Sequence, residues 1–83
     1  MSNRFLDGLQ ARIETLTAAA VGPDPEHTRF VAHKLAGAAA VYGYADLAEA
    51  AWRIERALVA DATSDVTDLV AATVTLAREL AAA

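Results

Sequence analysis

Apolar side chains recur along this chain at intervals of three and four residues, the spacing that places them on one face of an α-helix. The pattern predicts four helices: residues 3–20, residues 25–42, a helix that starts at Asp46 and ends near Asp61, and a last helix that starts at Thr63 or Ser64. The predicted apolar faces, helix by helix, are Leu6, Leu9, Ile13, Leu16 and Ala20; Val31, Leu35, Ala38 and Tyr42; Leu47, Ala50, Ala51, Ile54, Ala57 and Leu58; and Val66, Leu69, Val70, Leu76, Ala77 and Leu80.

Helix-breaking and capping residues separate these segments. The stretch VGPDP ends the first helix, because glycine and two prolines do not continue it, and Asp24 before a proline is a good N-cap for the second. Gly43 is predicted to end the second helix in the left-handed region. Ser2 or Asn3 is the predicted cap of the first helix, and Asp46 that of the third.

Length and composition leave room for one small core. The chain has 83 residues, no cysteine and 55% hydrophobic residues, so packing without disulfides must stabilise it. Four helices of similar length joined by short turns predict an all-α fold, an antiparallel up-down-up-down four-helix bundle that forms a single domain over residues 1–83.

Charge and the N-terminal sequence restrict location and partners. The N-terminal stretch mixes charged and apolar residues, so it is expected to be neither a signal peptide nor a membrane span, and the predicted location is the cytoplasm. A formal net charge of -4 argues against nucleic acid as a partner. Abundant alanine and a basic complement that is nearly all arginine suit a bacterial, GC-rich genome.

The second helix carries a histidine on its predicted outer side. At about 100° of rotation per residue, His33 points away from the apolar face. A mid-helix glycine costs about 0.8 to 1 kcal/mol relative to alanine, so Gly37, one turn later, indicates that another molecule approaches closely there. The rest of this outward strip and its flanks consists of Glu26, Arg29, Ala40, Lys34 and Ala36.

Imidazole is a nucleophile toward phosphorus, and part of it is unprotonated near neutral pH. A phosphoryl group on its nitrogen adds nearly two negative charges, which Arg29 and Lys34 are placed to support. Arg53 and Arg56 either add to this charge or are ordinary solvated residues of the third helix.

The order H-x-L-x-G, formed by His33, Leu35 and Gly37, with Gly43 ten residues after the histidine, resembles the signature of histidine-containing phosphotransfer (Hpt) domains. The stretch YADLAEAAWRIERALVADA resembles the helix that follows in that family. The resemblance implies a bundle whose exposed histidine accepts a phosphoryl group from a receiver-domain aspartate and passes it to another receiver in a two-component phosphorelay. It makes His33 the phosphorylated residue, Gly37 the bare spot for partner access and Gly43 a structural cap.

One position departs from the family pattern. Many members carry a lysine three residues after the histidine, where this chain has Ala36, so Lys34 or Arg29 must supply the positive charge. The predicted docking surface is the strip around Gly37 with its apolar neighbours Phe30, Ala36, Ala40 and Val41. Phe30 and Trp52 also have a competing interpretation, favoured by helical spacing, as packing residues of the bundle.

The chain is expected to bind no cofactor or metal of its own. It contains no GxxxxGK loop, so it is predicted to be a phosphoryl carrier without kinase activity, and the divalent metal for the transfer belongs to the partner receiver. His27 and His33 are too far apart around the helix to share a metal. Two alternatives stay open: a non-catalytic helical adaptor or dimerisation module, and an Hpt-like scaffold that binds a receiver without accepting phosphate.

Overall fold

The computed structural model describes residues 4–83 and contains four α-helices in that range. They are α1 (Arg4–Val21), α2 (Pro25–Val41), α3 (Ala45–Ala60) and α4 (Thr67–Ala82). No strand occurs in the described residues. The predicted ends of the first two helices agree with the structure to within one residue where they are described, while the predicted caps Ser2 and Asn3 lie outside the described range.

The helices form an antiparallel up-down-up-down bundle that measures 41 × 19 × 17 Å. Each helix packs against the next one along the chain, and α4 closes the bundle by packing against α1. The most extensive interface joins α2 and α3. None of the described helices is long and apolar enough to cross a membrane.

The core follows the predicted apolar stripes on α1, α3 and α4, but α2 is turned further toward α3 than its pattern predicted. The predicted core residues Val31 and Ala38 are only half-buried, and Tyr42 is 48% exposed. Small side chains that the pattern did not assign to the core are fully buried instead. On α2 these are Ala32, Ala36 and Ala39. Alanine lets two helix backbones approach closely, which explains why the broad α2–α3 interface selects this side of α2.

The caps of α2 are confirmed. Asp24 has an extended backbone, and its Oδ1 accepts a hydrogen bond of 3.0 Å from the amide of Glu26. At the other end Gly43 has φ +85° and donates to the carbonyl of Ala40, while the amide of Tyr44 donates to the carbonyl of Ala39 at 2.9 Å. This pair of bonds is a Schellman motif, which fixes where α2 stops and how the chain enters α3.

The predicted starts of the last two helices were wrong. Asp46 lies in the first turn of α3, and the cap position is Tyr44, which makes no side-chain capping bond. Helix α4 begins at Thr67, after the cap position Val66, which makes no side-chain capping bond. The preceding Asp65 accepts hydrogen bonds from both the amide and the hydroxyl of Thr67 at 2.9 and 2.6 Å. Thr63 makes the equivalent bonds to Asp61 in the loop before it, so two similar Asp-x-Thr turns follow each other and only the second opens a helix.

Candidate functional site

His33 lies in the middle of α2 with 61% of its side chain exposed. Its Nδ1 is 2.8 Å from Oε2 of Glu55, which reaches across from α3 and is itself only 18% exposed. An ionised carboxylate only accepts hydrogen bonds, so Nδ1 carries the hydrogen and the lone pair of the neutral ring is on Nε2. The outward nitrogen of His33 is therefore the one available to a partner.

Arg29 joins this pair from one helical turn earlier on α2. Its Nη1 is 3.7 Å from the same oxygen of Glu55 that binds His33. Its Nη2 lies 3.0 Å from Oε2 of Glu26, and its Nε lies 3.3 Å from each Glu26 oxygen. An arginine guanidinium is a permanent cation, and the hydrogen bonds and the charge of Glu26 raise the pKa of Arg29 above its ordinary value.

Sequence reasoning missed Glu55. A signal was present, because Glu55 directly follows the buried Ile54 and precedes the buried Leu58 by three residues, so it borders the apolar face of α3. Acidic residues at the edge of a buried face often satisfy a partner on the neighbouring helix. Which partner it meets depends on how α3 is aligned with α2, and the one-dimensional pattern does not contain that alignment.

Lys34 is directed elsewhere. Its Nζ lies 5.4 Å from the centre of the Phe30 ring, and both residues line a groove of about 340 Å³ between α1 and α2. Neighbouring residues on a helix point about 100° apart, so Lys34 does not share the α3 side of His33. Of the two predicted phosphate-supporting cations, the structure brings only Arg29 to the His33–Glu55 pair.

The predicted position of Ala36 on the outer strip was wrong. Ala36 is fully buried, because α2 packs this side against α3. Its side chain is small for packing, and it is not accessible to a partner. Phe30, for which helical spacing favoured a core or half-buried position in the bundle, is 53% exposed and is not part of the core.

The other predicted docking residues do lie on the surface. Gly37 is exposed, and a Cβ built on it meets no described atom within 4 Å outside its own chain neighbours and the helix backbone. Ala40 is exposed as well, and Val41 is 83% exposed. Together with Phe30 they form an apolar outer face of α2, which we define as Phe30, Gly37, Ala40 and Val41.

Arg53 and Arg56 bind an acid of their own helix. Arg53 Nε is 3.5 Å and Arg56 Nη2 is 2.7 Å from the same oxygen of Glu49, and the hydrogen bond from Arg56 lowers the pKa of that carboxyl. Trp52 is half-buried and packs against the core, as helical spacing predicted. In residues 4–83 no group of three His, Asp or Glu side chains is arranged to hold a metal ion.

The family model for the Hpt domain matches residues 1–83. The chain belongs to the Hpt domain family. Hpt domains are phosphotransfer modules of two-component systems and interact with receiver domains in phosphorelays. Neither the curated proteins nor the solved structures contain a significant match to this Hpt domain.

Proposed function

We propose that this Hpt domain carries a phosphoryl group on Nε2 of His33, accepting it from the aspartate of one receiver domain and passing it to another. The observation that carries the proposal is the 2.8 Å contact between Nδ1 of His33 and Glu55, which leaves the exposed nitrogen with the lone pair. The domain spans residues 1–83, works in the cytoplasm and has no kinase activity of its own. The divalent metal for the reaction is held by the receiver.

The transfer step needs no proton to move on this chain. The Nε2 lone pair of His33 attacks the phosphorus of the aspartyl phosphate, the bond from phosphorus to the aspartate oxygen breaks, and the aspartate leaves as a carboxylate. The ring keeps its Nδ1 hydrogen and becomes cationic. Glu55 stabilises that cation through the bond it already makes, so the electrostatic support is in place before the reaction begins. Discharge to the second receiver is the same step in reverse.

Arg29 is the cation that supports the phosphoryl group. It lies one turn from His33 and shares Glu55 with it, whereas Lys34 lies over the Phe30 ring. A guanidinium binds phosphate oxygens through paired donors. Arg29 therefore supplies the positive charge that many members of the family obtain from a lysine at the position of Ala36.

The receiver docks on the apolar outer face of α2. This face contains the exposed Phe30 and Val41. Gly37 and Ala40 have no long side chain that would protrude beside His33. Exposed aromatic and aliphatic side chains around a low centre are typical of the buried part of a protein interface. Gly37 gives the closest approach, because no described neighbour fills the space where its Cβ would stand.

Label transfer from a phosphorylated receiver tests the proposal. The wild-type domain is expected to become a phosphoprotein that is labile in acid and stable in base, and His33→Gln is expected to remove the label completely. His27→Gln is the matched control, because His27 is an exposed histidine of the same helix and its loss should leave labelling intact. Label that survives His33→Gln contradicts the assignment of the phosphorylated residue.

The same experiment separates the two alternatives. A scaffold that binds a receiver without accepting phosphate gives a complex whose affinity does not change with His33→Ala and gives no phosphohistidine. An adaptor or dimerisation module gives neither label nor receiver complex with any cognate receiver.

A further inference from the structure

The strongest bonds of Arg29 go to a residue outside the reacting pair. Glu26 binds its Nε and Nη2 at 3.0 to 3.3 Å, while Glu55 lies 3.7 Å from its Nη1. Glu26 is itself 70% exposed and lies in the first turn of α2. Its hydrogen bonds hold the guanidinium toward the N-terminal end of α2, whereas His33 lies one turn toward the C-terminal end.

We propose that Glu26 is a positioning residue that competes with the phosphoryl group of His33 for Arg29 and thereby makes the phosphohistidine easier to discharge. This inference rests on the proposed function. A phosphoryl group presents about two negative charges and three acceptor oxygens, and Arg29 must give up some or all of its bonds to Glu26 in order to bind it. The free energy needed to break those bonds reduces the net stabilisation of the phosphorylated state by Arg29.

This competition matters for a carrier, which must release its phosphoryl group as well as accept it. If Arg29 were free, the phosphorylated state would gain the full value of a charge-assisted bond, and discharge to the second receiver would become less favourable. The competing carboxylate is on the surface, so its effect is moderate. Exposed ion pairs are weak, so breaking this one is expected to change the equilibrium constant only about 1.4- to 5-fold.

The test measures the equilibrium between phosphorylated receiver and phosphorylated His33 in the domain of residues 1–83. Glu26→Gln is expected to shift this equilibrium about 1.4- to 5-fold toward phosphohistidine, because the neutral amide holds Arg29 less strongly. Arg29→Gln is expected to shift it in the opposite direction. Glu14→Gln removes the same charge from an exposed site on α1, where the carboxylate accepts a bond from Gln10, and is expected to change nothing.

A double-mutant cycle decides whether Glu26 acts through Arg29. In the Arg29→Gln background the further change Glu26→Gln is expected to have no effect, since no guanidinium remains to compete for. If Glu26→Gln has the same effect in both backgrounds, Glu26 acts by direct repulsion of the phosphoryl group and the inference is overturned. If the wild-type domain is labelled but Glu26→Gln leaves the equilibrium unchanged, the inference fails while the proposed function stands. If the wild-type domain takes no label, both fail.

Discussion

Both sides of α2 contain small residues, but these residues have different surroundings on the two sides. The side that packs against α3, which we call the seam, contains Ala32, Ala36 and Ala39, all of them fully buried. The outer face contains Gly37 and Ala40, both of them exposed. In the seam a small side chain lets two helices approach, while on the outer face, the proposed docking surface, it leaves the backbone uncovered. Small residues in one helix can therefore be buried in a helix–helix contact or exposed on the surface, and adjacent positions can differ in this respect.

The largest expected effect comes from the charged residue that borders the seam. Glu55→Ala removes the acceptor of the Nδ1 hydrogen of His33, and bonds to charged groups are worth roughly 1.5–3 kcal/mol. We therefore expect single-turnover transfer from a receiver to slow by roughly 10- to 150-fold. Glu55→Gln keeps an acceptor oxygen and loses the charge, so it should have a smaller effect. Glu49→Gln on the same helix is the control and should leave the rate unchanged. A wild-type rate for Glu55→Ala would contradict the role of this residue.

The next effect measures how tightly the seam is packed. Ala36→Leu is expected to lower the free energy of unfolding by about 1–3 kcal/mol, because a fully buried alanine has no space for three more carbons. Urea denaturation followed by circular dichroism measures it. Ala40→Leu, one turn further and exposed, should change stability by less than about 0.5 kcal/mol. Equal effects at the two positions would show that the distinction between seam and outer face does not hold.

A third effect has the opposite sign on stability. Gly37→Ala is expected to raise the free energy of unfolding by about 0.8 to 1 kcal/mol, since the added Cβ meets no described neighbour within 4 Å and alanine is the better helix former. The same methyl group stands on the face proposed to dock the receiver, so phosphotransfer is expected to become slower. Gly8→Ala in α1 is the matched control, with open space around its Cβ, and should stabilise the domain without slowing transfer. Faster or unchanged transfer with Gly37→Ala would remove the evidence for close approach at this position.

The smallest effect concerns an ion pair away from the site. Arg56 donates to Glu49 and holds the pKa of that carboxyl below its ordinary value. Because the pKa is lower in the folded state, the stability from this pair is fully present above the unfolded-state pKa and is lost as the pH falls through the folded-state pKa. An NMR titration of Glu49 should show the low pKa, and Arg56→Gln should raise it. Arg53→Gln should raise it less, since that contact is longer, at 3.5 Å. An unchanged pKa in Arg56→Gln would mean that the pair does not form in solution.

Much of the fold was predictable because it depends on local chemistry. Asp24 before a proline starts α2, and Gly43, with φ +85°, ends it. Both residue types are visible in the sequence as capping signals. The start of α4 was not predictable in the same way. Asp61 and Asp65 each bind a threonine two residues later, and the sequence alone does not show that only the second of these turns leads into a helix.

The features of the site also separate into those that the sequence predicted and those that it did not. The exposure of His33 beside a glycine and the formation of a bundle from four amphipathic helices were predictable, because both follow from the apolar repeat within each helix. The packing of the helices was needed to show that Glu55 binds Nδ1, that Arg29 and not Lys34 joins them, and that Ala36 is buried. All three depend on the rotation of α2 about its own axis. A helix turns its broadest contact surface toward its closest neighbour, here α3, and that choice depends on the shapes of two helices together.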